Sequence, residues 1–426
     1  MNVILNKKDQ YMLDGVYGDA AKKAMTIIVR MADVLDAPEL MDISQAHIDG
    51  CGLMSDTSLE FAETMARLGG KVSVPTTLNM IPLDLRNWQK LGVPEDFAHR
   101  ALRLAKSYED MGCIPTWTCA PYQGYLVPRF GQQIAWGESN AINYANSVIG
   151  ARTERYADFL DLCAAITGRV PKYGLHLKKN RKGEVLFRLL DFDSAVFADD
   201  TFYPALGYLV GKIAEHRVAV IDGLTHQVDS DQFKALGAAA ASSGAIGLYH
   251  IVGITPEAAT LEDAFQGTKP LKVFNITPKD LMDARRSLST IFKEDLKLDA
   301  VVLGCPHFSY DEFRKVADAI EKYQQNLHPD VRFVILTSQT SYALIERSEF
   351  LSILLGFGVE IIFDTCVFHS PIISSGAKVI MTNSGKCAYY APGEINVNVV
   401  FGNIEDCVRS ACLGSVSQEE IRWKKV

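Results

Sequence analysis

Residues 300–337, AVVLGCPHFSYDEFRKVADAIEKYQQNLHPDVRFVILT, alternate short apolar runs with one amphipathic segment. The runs at 300–303 and 332–336 predict buried strands, and residues 310–325 predict the helix between them. The alternation continues with a predicted helix at 341–347 and predicted strands at 359–363, 378–381 and 397–401. Because strands that alternate with helices form parallel or mixed sheets covered by helices, the predicted fold class is α/β.

Towards the N-terminus the same periodicity analysis gives mostly helices. Apolar residues at helical spacing predict helices at 19–35, 57–68 and 94–111. A short strand is predicted at 72–74, stopped by Pro75. Residues 233–254 are rich in Ala, Ser and Gly, which predicts close packing of backbones. The 426 residues exceed one typical domain, and we expect two lobes, 1–290 and 291–426.

Composition limits the possible partners and location. Hydrophobic residues make up 48% of the chain, which predicts a well-packed core rather than disorder. The net charge of −8, without long basic runs, argues against a nucleic-acid partner. No apolar run is long enough to span a membrane, and the N-terminus lacks the pattern of a signal peptide. We therefore predict a cytoplasmic protein with no membrane partner.

The nine cysteines are the first candidates for chemistry. In a cytoplasmic chain they are thiols or metal ligands, and no Cys-x-x-Cys pair is present. Ligands of α/β sheets bind where the carboxyl ends of strands meet loops. Cys305 and Cys366 follow predicted strands, and Cys119 lies in the loop sequence PTWTCAPY. The alternative stays open, because an isolated cysteine is more often a small buried hydrophobic residue.

Three polar stretches predict a site for a substrate that carries a carboxylate. Their hydroxyl, amide, imidazole and guanidinium groups are Ser44, His47, Thr76, Thr77, Asn79, Glu138, Ser139, Asn140 and Arg152. Cys51 follows His47 in the same stretch, and Arg152 is the predicted bidentate clamp. Taken singly, each of these residues is more often a helix cap, a turn residue or a structural histidine.

Several motifs occur together in one order along almost the whole chain. They are AHIDGC (46–51), PTTLN (75–79), PTWTCAPY (115–122), GQQIAWGESNAINYANSVIGARTERY (131–156), ASSGAIGLYHIVGITPEA (241–258), LGCPHFS (303–309), DTC (364–366) and MTNSGK (381–386). This set resembles the aconitase X family, whose members are dehydratases similar to aconitase in fold. One departure is Val16, where the family's N-terminal motif usually carries Glu, so no role is assigned to that position.

The resemblance implies an architecture and a cofactor. Residues 1–426 would be the catalytic core, with aconitase-like three-layer α/β/α lobes around an iron–sulfur site and without the swivel domain of fused members. The cluster ligands would be Cys119, Cys305 and Cys366. Three cysteines can hold 2Fe-2S, 3Fe-4S or 4Fe-4S forms, so the type of cluster stays open. A separate small subunit would supply the swivel domain and the family's catalytic serine.

The resemblance also implies a reaction, the removal of water from a small hydroxy acid. Cis-3-hydroxy-L-proline, giving a pyrroline carboxylate, is the predicted substrate, and mevalonate 5-phosphate is the alternative. An iron with an open position would act on the leaving hydroxyl. His47 or His176 could relay the proton instead of the partner's serine. A non-catalytic iron–sulfur or scaffold homologue is the alternative of another class.

Overall fold

The computed structural model describes residues 3–53, 55–293, 296–373, 376–418 and 423. Contacts within the chain divide it into two units. The first unit contains residues 1–182 together with 364–370, and the second contains 183–363 together with 371–426. A short segment from the C-terminal third therefore belongs to the N-terminal unit.

The first unit combines helices with short strands. In chain order they are α1 (Lys7–Leu13), α2 (Asp19–Val34), β1 (Leu40–Asp42), β2 (Ala46–Ile48), α3 (Asp56–Arg67), β3 (Thr76–Leu78), α4 (Glu95–Asp110), β4 (Ala135–Trp136), α5 (Ser139–Tyr144), α6 (Leu160–Thr167) and β5 (Arg169–Pro171). Strands β3, β2 and β4 form a parallel sheet in that order, and β1 pairs antiparallel with β5. The predicted helices at 19–35, 57–68 and 94–111 are confirmed within one residue at each end.

The strand predicted at 72–74 is wrong. The N–H groups of Val72 and Ser73 donate to the carbonyls of Met111 and Ala165, not to a neighbouring strand. The ladder begins at Pro75, whose carbonyl accepts from the N–H of Ala46, and continues as β3. Pro75 has no N–H, but only its carbonyl is needed where the ladder starts. Pro75 therefore begins a strand rather than ending one.

The second unit contains two parallel sheets. Its elements are β6 (Val185–Leu189), α7 (Phe202–Ala214), β7 (Ala219–Asp222), α8 (Ser230–Gly244), β8 (Tyr249–Ile251), α9 (Leu261–Phe265), β9 (Lys272–Ile276), α10 (Pro278–Ser287), β10 (Ala300–Leu303), α11 (Tyr310–Tyr323), β11 (Arg332–Thr337), α12 (Gln339–Ile345), α13 (Phe350–Phe357), β12 (Val359–Phe363), β13 (Val379–Thr382), α14 (Gly385–Glu394), β14 (Asn398–Phe401) and α15 (Ile404–Leu413). The strand orders are β8-β7-β6-β9 and β12-β11-β10-β13-β14.

The stretch at 300–337 folds as its pattern predicts. Every residue of β10 is buried, because both faces of this central parallel strand are covered. A capping box between Ser309 and Glu312 starts α11 directly after the loop that follows β10. The α/β class is confirmed. No helix among the described residues is long and apolar enough to cross a bilayer.

Candidate active site

Polar side chains of the first unit meet where β2, β3 and β4 end. Asp49 follows β2, Asn79 follows β3 and Gly137 follows β4. The side-chain amide of Asn79 donates to the carboxylate of Asp49. Parallel strands bring their carboxyl ends to one edge, which is where α/β sheets bind ligands. This edge is the candidate active site of the first unit.

A buried carboxyl, Asp161 in the first turn of α6, lies directly beneath this edge. Its Oδ2 accepts the N–H of Asp49 at 2.7 Å. A Cβ added to Gly137 would lie 2.7 Å from the same oxygen, so only glycine fits there. Burial raises the pKa of Asp161 to about 7. Asp161 is not among the site residues predicted from the sequence; an acid within the apolar stretch FLDLCAAI was the available signal.

Cys51 lies fully buried below the same edge. Its thiol donates to the carbonyls of Asn79 at 3.2 Å and Ile48 at 3.5 Å. Burial raises its pKa well above that of an ordinary thiol, with the charge of Asp49 adding to the effect. The thiol is therefore neutral, and it joins the β2 and β3 loops. A substrate-binding role for Cys51 stays a prediction.

His47, the middle residue of β2, is buried and neutral. Its Nδ1 lies 2.8 Å from Oγ1 of Thr77, the residue opposite it in β3. Burial lowers the pKa of His47 to about 4, although the carboxylate of Glu138 opposes the shift. Oγ1 of Thr77 also donates to the carbonyl of Ala46 at 3.4 Å, so it is available to accept the Nδ1 proton. In that tautomer Nε2 is a base, and a backbone hydrogen bond with Thr118 also opposes the lowering of the pKa of this imidazole.

The start of α5 holds the loop that carries Cys119. The Glu138 carboxylate caps this helix by accepting the N–H of Ala141 at 2.6 Å, and Oγ of Ser139 donates to it at 3.3 Å. The amide of Asn140 donates to the carbonyl of Cys119 at 3.0 Å and accepts from the hydroxyl of Tyr122 at 3.0 Å. The predicted residues 138–140 thus position a predicted cluster ligand.

Cys119 and Cys366 both lie on loops bonded to β3 or to the residues after it. The N–H of Thr118 donates to the carbonyl of Leu78 at 3.1 Å, just before Cys119. The N–H of Ile81 donates to the carbonyl of Asp364 at 2.8 Å, just before Cys366. Both thiols are half-buried. The segment 364–370 therefore brings Cys366 to the end of the sheet where the Cys119 loop also lies.

Other predicted residues lie at or before the amino ends of these strands. Thr76 begins β3, and its hydroxyl donates to the carbonyl of Val74 at 2.8 Å. Ser44 precedes β2 and donates to the carbonyl of Gln133 at 3.0 Å. Nδ1 of His176 lies 2.6 Å from Oε1 of Gln133. The structure therefore does not bring Ser44, Thr76 and His176 to the edge that carries Asp49 and Asn79.

Arg152 pairs through its backbone with Gln133, just before β4. Burial and the charges of Arg181 and Arg152 lower the pKa of His176 to about 3, so the Arg152 guanidinium lies near that imidazole. The Nε of Arg152 is buried, and within the described residues it has no hydrogen-bond partner. A buried donor without an acceptor is costly, and a carboxylate ligand would satisfy it.

Cys305, the third predicted ligand, lies in the second unit at the carboxyl end of β10. A Cβ at Gly304 would overlap the carbonyl oxygen of Leu336, and the φ of Gly304 is +90°, so the turn requires glycine. The hydroxyl of Ser384, in the MTNSGK motif, donates to the carbonyl of Cys305. A small cavity of about 20 Å³ borders Cys305, Lys234 and Ser384. The loop after β10 and the loop after β13 therefore fix the backbone of Cys305.

The donor chemistry of these cysteines fits an iron–sulfur cluster. All nine cysteines, each within the described part of the chain, are thiols. Among the described residues, no three His, Cys, Asp or Glu side chains are arranged around one metal ion. A cluster does not need that arrangement, because each cysteine can bind a different iron. By contrast, burial raises the pKa of Cys113 to about 12 and that of Cys163 further, so those thiols stay protonated.

Three models of one family match successive parts of the chain. Aconitase X first domain matches residues 2–179, second domain 183–286 and third domain 298–413. The chain is 43% identical over 413 residues to cis-3-hydroxy-L-proline dehydratase of Pseudomonas aeruginosa, covering 96% of this chain and 70% of that protein. It is 42% identical to the enzyme of the same name from Hypocrea jecorina, covering 97% of this chain and 69% of that protein.

More distant relatives carry a different name. The chain is 35% identical to phosphomevalonate dehydratase large subunit of Methanothermobacter thermautotrophicus, covering 96% of this chain and 98% of that protein. The crystal structure of Thermococcus kodakaraensis aconitase X in its holo-form matches with a TM-score of 0.84 and 32% identity. That match covers 96% of this chain and 100% of that chain.

The fold and these relatives define the class of protein as an aconitase-like hydro-lyase, and the predicted dehydratase function is confirmed at that level. The chain belongs to the aconitase X family. Membership in an aconitase-like family of dehydratases implies an iron–sulfur cluster. The predicted lobe boundary at 290/291 falls between the second and third domain models and stays a prediction.

Proposed function

We propose that this chain is the large subunit of an iron–sulfur dehydratase that converts cis-3-hydroxy-L-proline to a pyrroline carboxylate. The substrate is inferred from sequence identity, which over nearly the whole chain is higher to relatives named for cis-3-hydroxy-L-proline than to those named for phosphomevalonate. The chain is 43% and 42% identical to two relatives named for that substrate, against 35% to a phosphomevalonate dehydratase large subunit. Mevalonate 5-phosphate remains the second candidate because the chain covers 98% of that large subunit.

A small swivel-domain subunit and a cytoplasmic location belong to the same proposal. The name "large subunit" of the archaeal relatives supports a partner. The partner would bring the catalytic serine that the family resemblance implies. The alternative of a non-catalytic iron–sulfur or scaffold homologue predicts that the assembled protein turns over neither substrate.

We propose Cys119, Cys305 and Cys366 as the cluster ligands. The support is that Cys119 and Cys366 are half-buried thiols on loops at one end of the β3-containing sheet, and that Cys305 follows the central strand of the second unit. These three residues would hold the cluster, which would supply Lewis-acid chemistry to the hydroxyl that leaves.

The polar residues of the first unit would bind and orient the substrate. Arg152 is the proposed carboxylate clamp, because its buried Nε needs an acceptor. Thr77 and Asn79 contribute a hydroxyl and an amide from β3 and the residue after it, and Cys51, Glu138, Ser139 and Asn140 are further proposed binding residues. Ser44 and Thr76, which lie at the amino ends of the strands, are not part of this proposal. The donors of the proposed residues would favour the negative charge that develops on the substrate carboxylate.

His47 is the better of the two histidines for proton relay. Both ring nitrogens of His176 are engaged, Nδ1 by Gln133 and Nε2 by the hydroxyl of Tyr156. In His47, Nδ1 is engaged by Thr77, and a hydrogen bond with the backbone of Thr118 favours the protonated ring, so this imidazole can take a proton and pass it on. We propose that His47 relays the proton that the partner's serine removes.

The test is anaerobic purification of the chain with its small partner, followed by iron analysis, visible and EPR spectra, and assays with both substrates. The spectra also report which cluster type is present. We expect Cys119→Ser, Cys305→Ser and Cys366→Ser each to lose bound iron and activity. Cys412→Ser is the matched control, because Cys412 is also half-buried and has no proposed ligand role. An iron-free active complex, or full activity in Cys305→Ser, contradicts the proposal.

A further inference from the structure

We propose that Asp161 is a positioning residue for the dehydration, which holds the loop after β2 against the loop after β4 beneath the candidate site. The inference rests on the proposed function for its reaction and on the contacts of the first unit for its geometry. Asp161 is fully buried and backbone N–H groups occupy both of its carboxylate oxygens, so we assign it no contact with the substrate. Its effect would pass through Asp49, whose side chain reaches the edge where Asn79 lies.

The contacts of Asp161 join three pieces of backbone. Oδ2 accepts the N–H of Asp49 at 2.7 Å, and Oδ1 accepts the N–H of Leu162 at 2.7 Å. The backbone N–H of Gly50 also stabilises the carboxylate. Gly137, immediately before the Glu138 cap, packs against the carboxylate of Asp161. Any side chain at position 137 would overlap that carboxylate. The Asp161 side chain therefore bonds the loop after β2 to the start of α6 and packs against Gly137, the residue after β4.

A neutral side chain would cost less free energy to bury at this position than the carboxylate of Asp161. Among the described residues, no Lys, Arg or His forms an ion pair with Asp161, so backbone N–H groups alone stabilise its charge. Burying a carboxylate without a cation costs several kcal/mol. An ionised carboxylate accepts two or more N–H groups at once, which a protonated carboxyl or an amide cannot do as well. The acid is therefore suited to holding loops in one geometry.

Asp161 is also the group beneath the site whose charge changes near neutral pH. Burial raises its pKa to about 7, and the charge of Asp158 adds to that shift. The groups that face it are Asp49, Asp158, Cys51, Tyr108, Cys113 and Cys163. Burial raises the pKa of each of these cysteines and of Tyr108, so all four stay neutral. Below about pH 7 Asp161 takes a proton, and its hydrogen bond from the N–H of Asp49 weakens.

The experiment compares the pH profile of kcat/KM of the complex of both subunits for wild type, Asp161→Asn and Asp158→Asn. Wild type should lose activity below about pH 7. Asp161→Asn should be slower by about 10- to 100-fold at pH 8, as expected for misplaced binding groups, and should lack that acid limb. Asp158→Asn is the matched control. It should keep the wild-type plateau and move the acid limb to lower pH, because a charge that raises the pKa of Asp161 is gone.

Hydrogen exchange measured by mass spectrometry gives a readout that is independent of activity. Peptides that contain Asp49 and Gly50 should exchange faster in Asp161→Asn than in wild type, whereas peptides of α11, in the second unit, should not change. A wild-type complex that dehydrates neither substrate overturns the proposed function. The exchange data would still test whether Asp161 holds the backbone of Asp49 and Gly50. The positioning role of Asp161 is overturned if Asp161→Asn loses activity below pH 7 as wild type does. It is also overturned if hydrogen exchange at Asp49 and Gly50 does not change. If Asp161→Asn does not fold, an unshifted limb in Asp158→Asn overturns it.

Discussion

Lys234 shows how one buried charge can organise a loop. Its side chain is 2% exposed and pairs with Asp231 at 3.1 Å and with Glu312. Its Nζ also donates to the carbonyl of His307 at 3.3 Å, two residues after Cys305. The ammonium thus joins α8 to the loop after β10 and to α11. Both carboxylates depend on it, because removing one partner of a buried ion pair leaves the other charge uncompensated.

We expect Lys234→Met to lower the free energy of unfolding by about 3 kcal/mol or more, because it leaves two buried carboxylates without their cation. Urea denaturation at pH 7.5 measures the loss. Lys315→Met is the control: Lys315 pairs with Asp200, and both side chains are about one third exposed. That variant should lose about 1 kcal/mol or less. Equal losses in the two variants would contradict the role given to Lys234.

At the scale of elements, the α7–α8 pair confirms the close packing predicted for residues 233–254. A Cβ at Gly207 would overlap the carbonyl oxygen of Leu236, and a Cβ at Gly244 would overlap that of Gly211. The two helix backbones therefore touch at these glycines. Replacing any of these glycines by a larger residue must push the helices apart, since backbone atoms cannot move aside as a side chain does.

Gly244→Ala tests this contact. We expect a loss of about 1–3 kcal/mol, the usual cost of overpacking a core. Gly356→Ala is the matched control, because Gly356 lies in α13 with no atom near its missing Cβ. That control should gain up to about 1 kcal/mol from helix propensity. Thermal denaturation of both variants gives the comparison, and a neutral Gly244→Ala would show that the helices do not touch there.

At the scale of the whole molecule, buried neutral histidines make folding sensitive to acid. Burial lowers the pKa of His47 to about 4 and that of His176 to about 3. In the unfolded chain a histidine titrates at its ordinary value near 6.5. Between that value and the folded pKa, the unfolded state binds more protons than the folded state. Stability contributed by these residues is therefore present above about pH 6.5 and is lost as the pH falls.

His176→Gln should weaken that dependence. At pH 4.5 the wild-type imidazole contributes a loss of about 3 kcal/mol relative to pH 7.5, and glutamine contributes none. Denaturation midpoints at pH 7.5 and pH 4.5 give the difference, with the exposed His99→Gln as control. Whatever the stability of His176→Gln at pH 7.5, its drop on acidification should be smaller than that of wild type. A drop as large as that of wild type would contradict the neutral state of His176.

Local sequence patterns predicted several of the elements, and the order of motifs predicted the family. Apolar periodicity located β10, α11 and β12, because burial on both faces of a parallel strand leaves a local apolar run. The motif order identified the family, and the strand-end rule selected Cys305 and Cys366 before any contact was known. The error at residues 72–74 arose because a proline can begin a strand as well as end one.

Tertiary structure alone decided which residues lie together. Residues 364–370 belong to the first unit although their neighbours in sequence belong to the second, and this carries Cys366 to the sheet end where the Cys119 loop lies. It also separated Ser44 and His176 from Asn79, and it placed Asp161 under Asp49 and Gly137. The bond between Asp49 and Asp161 joins residues 112 positions apart, and no local pattern encodes it. The energy of such contacts comes from burial and from backbone hydrogen bonds that exist only once the strands are paired.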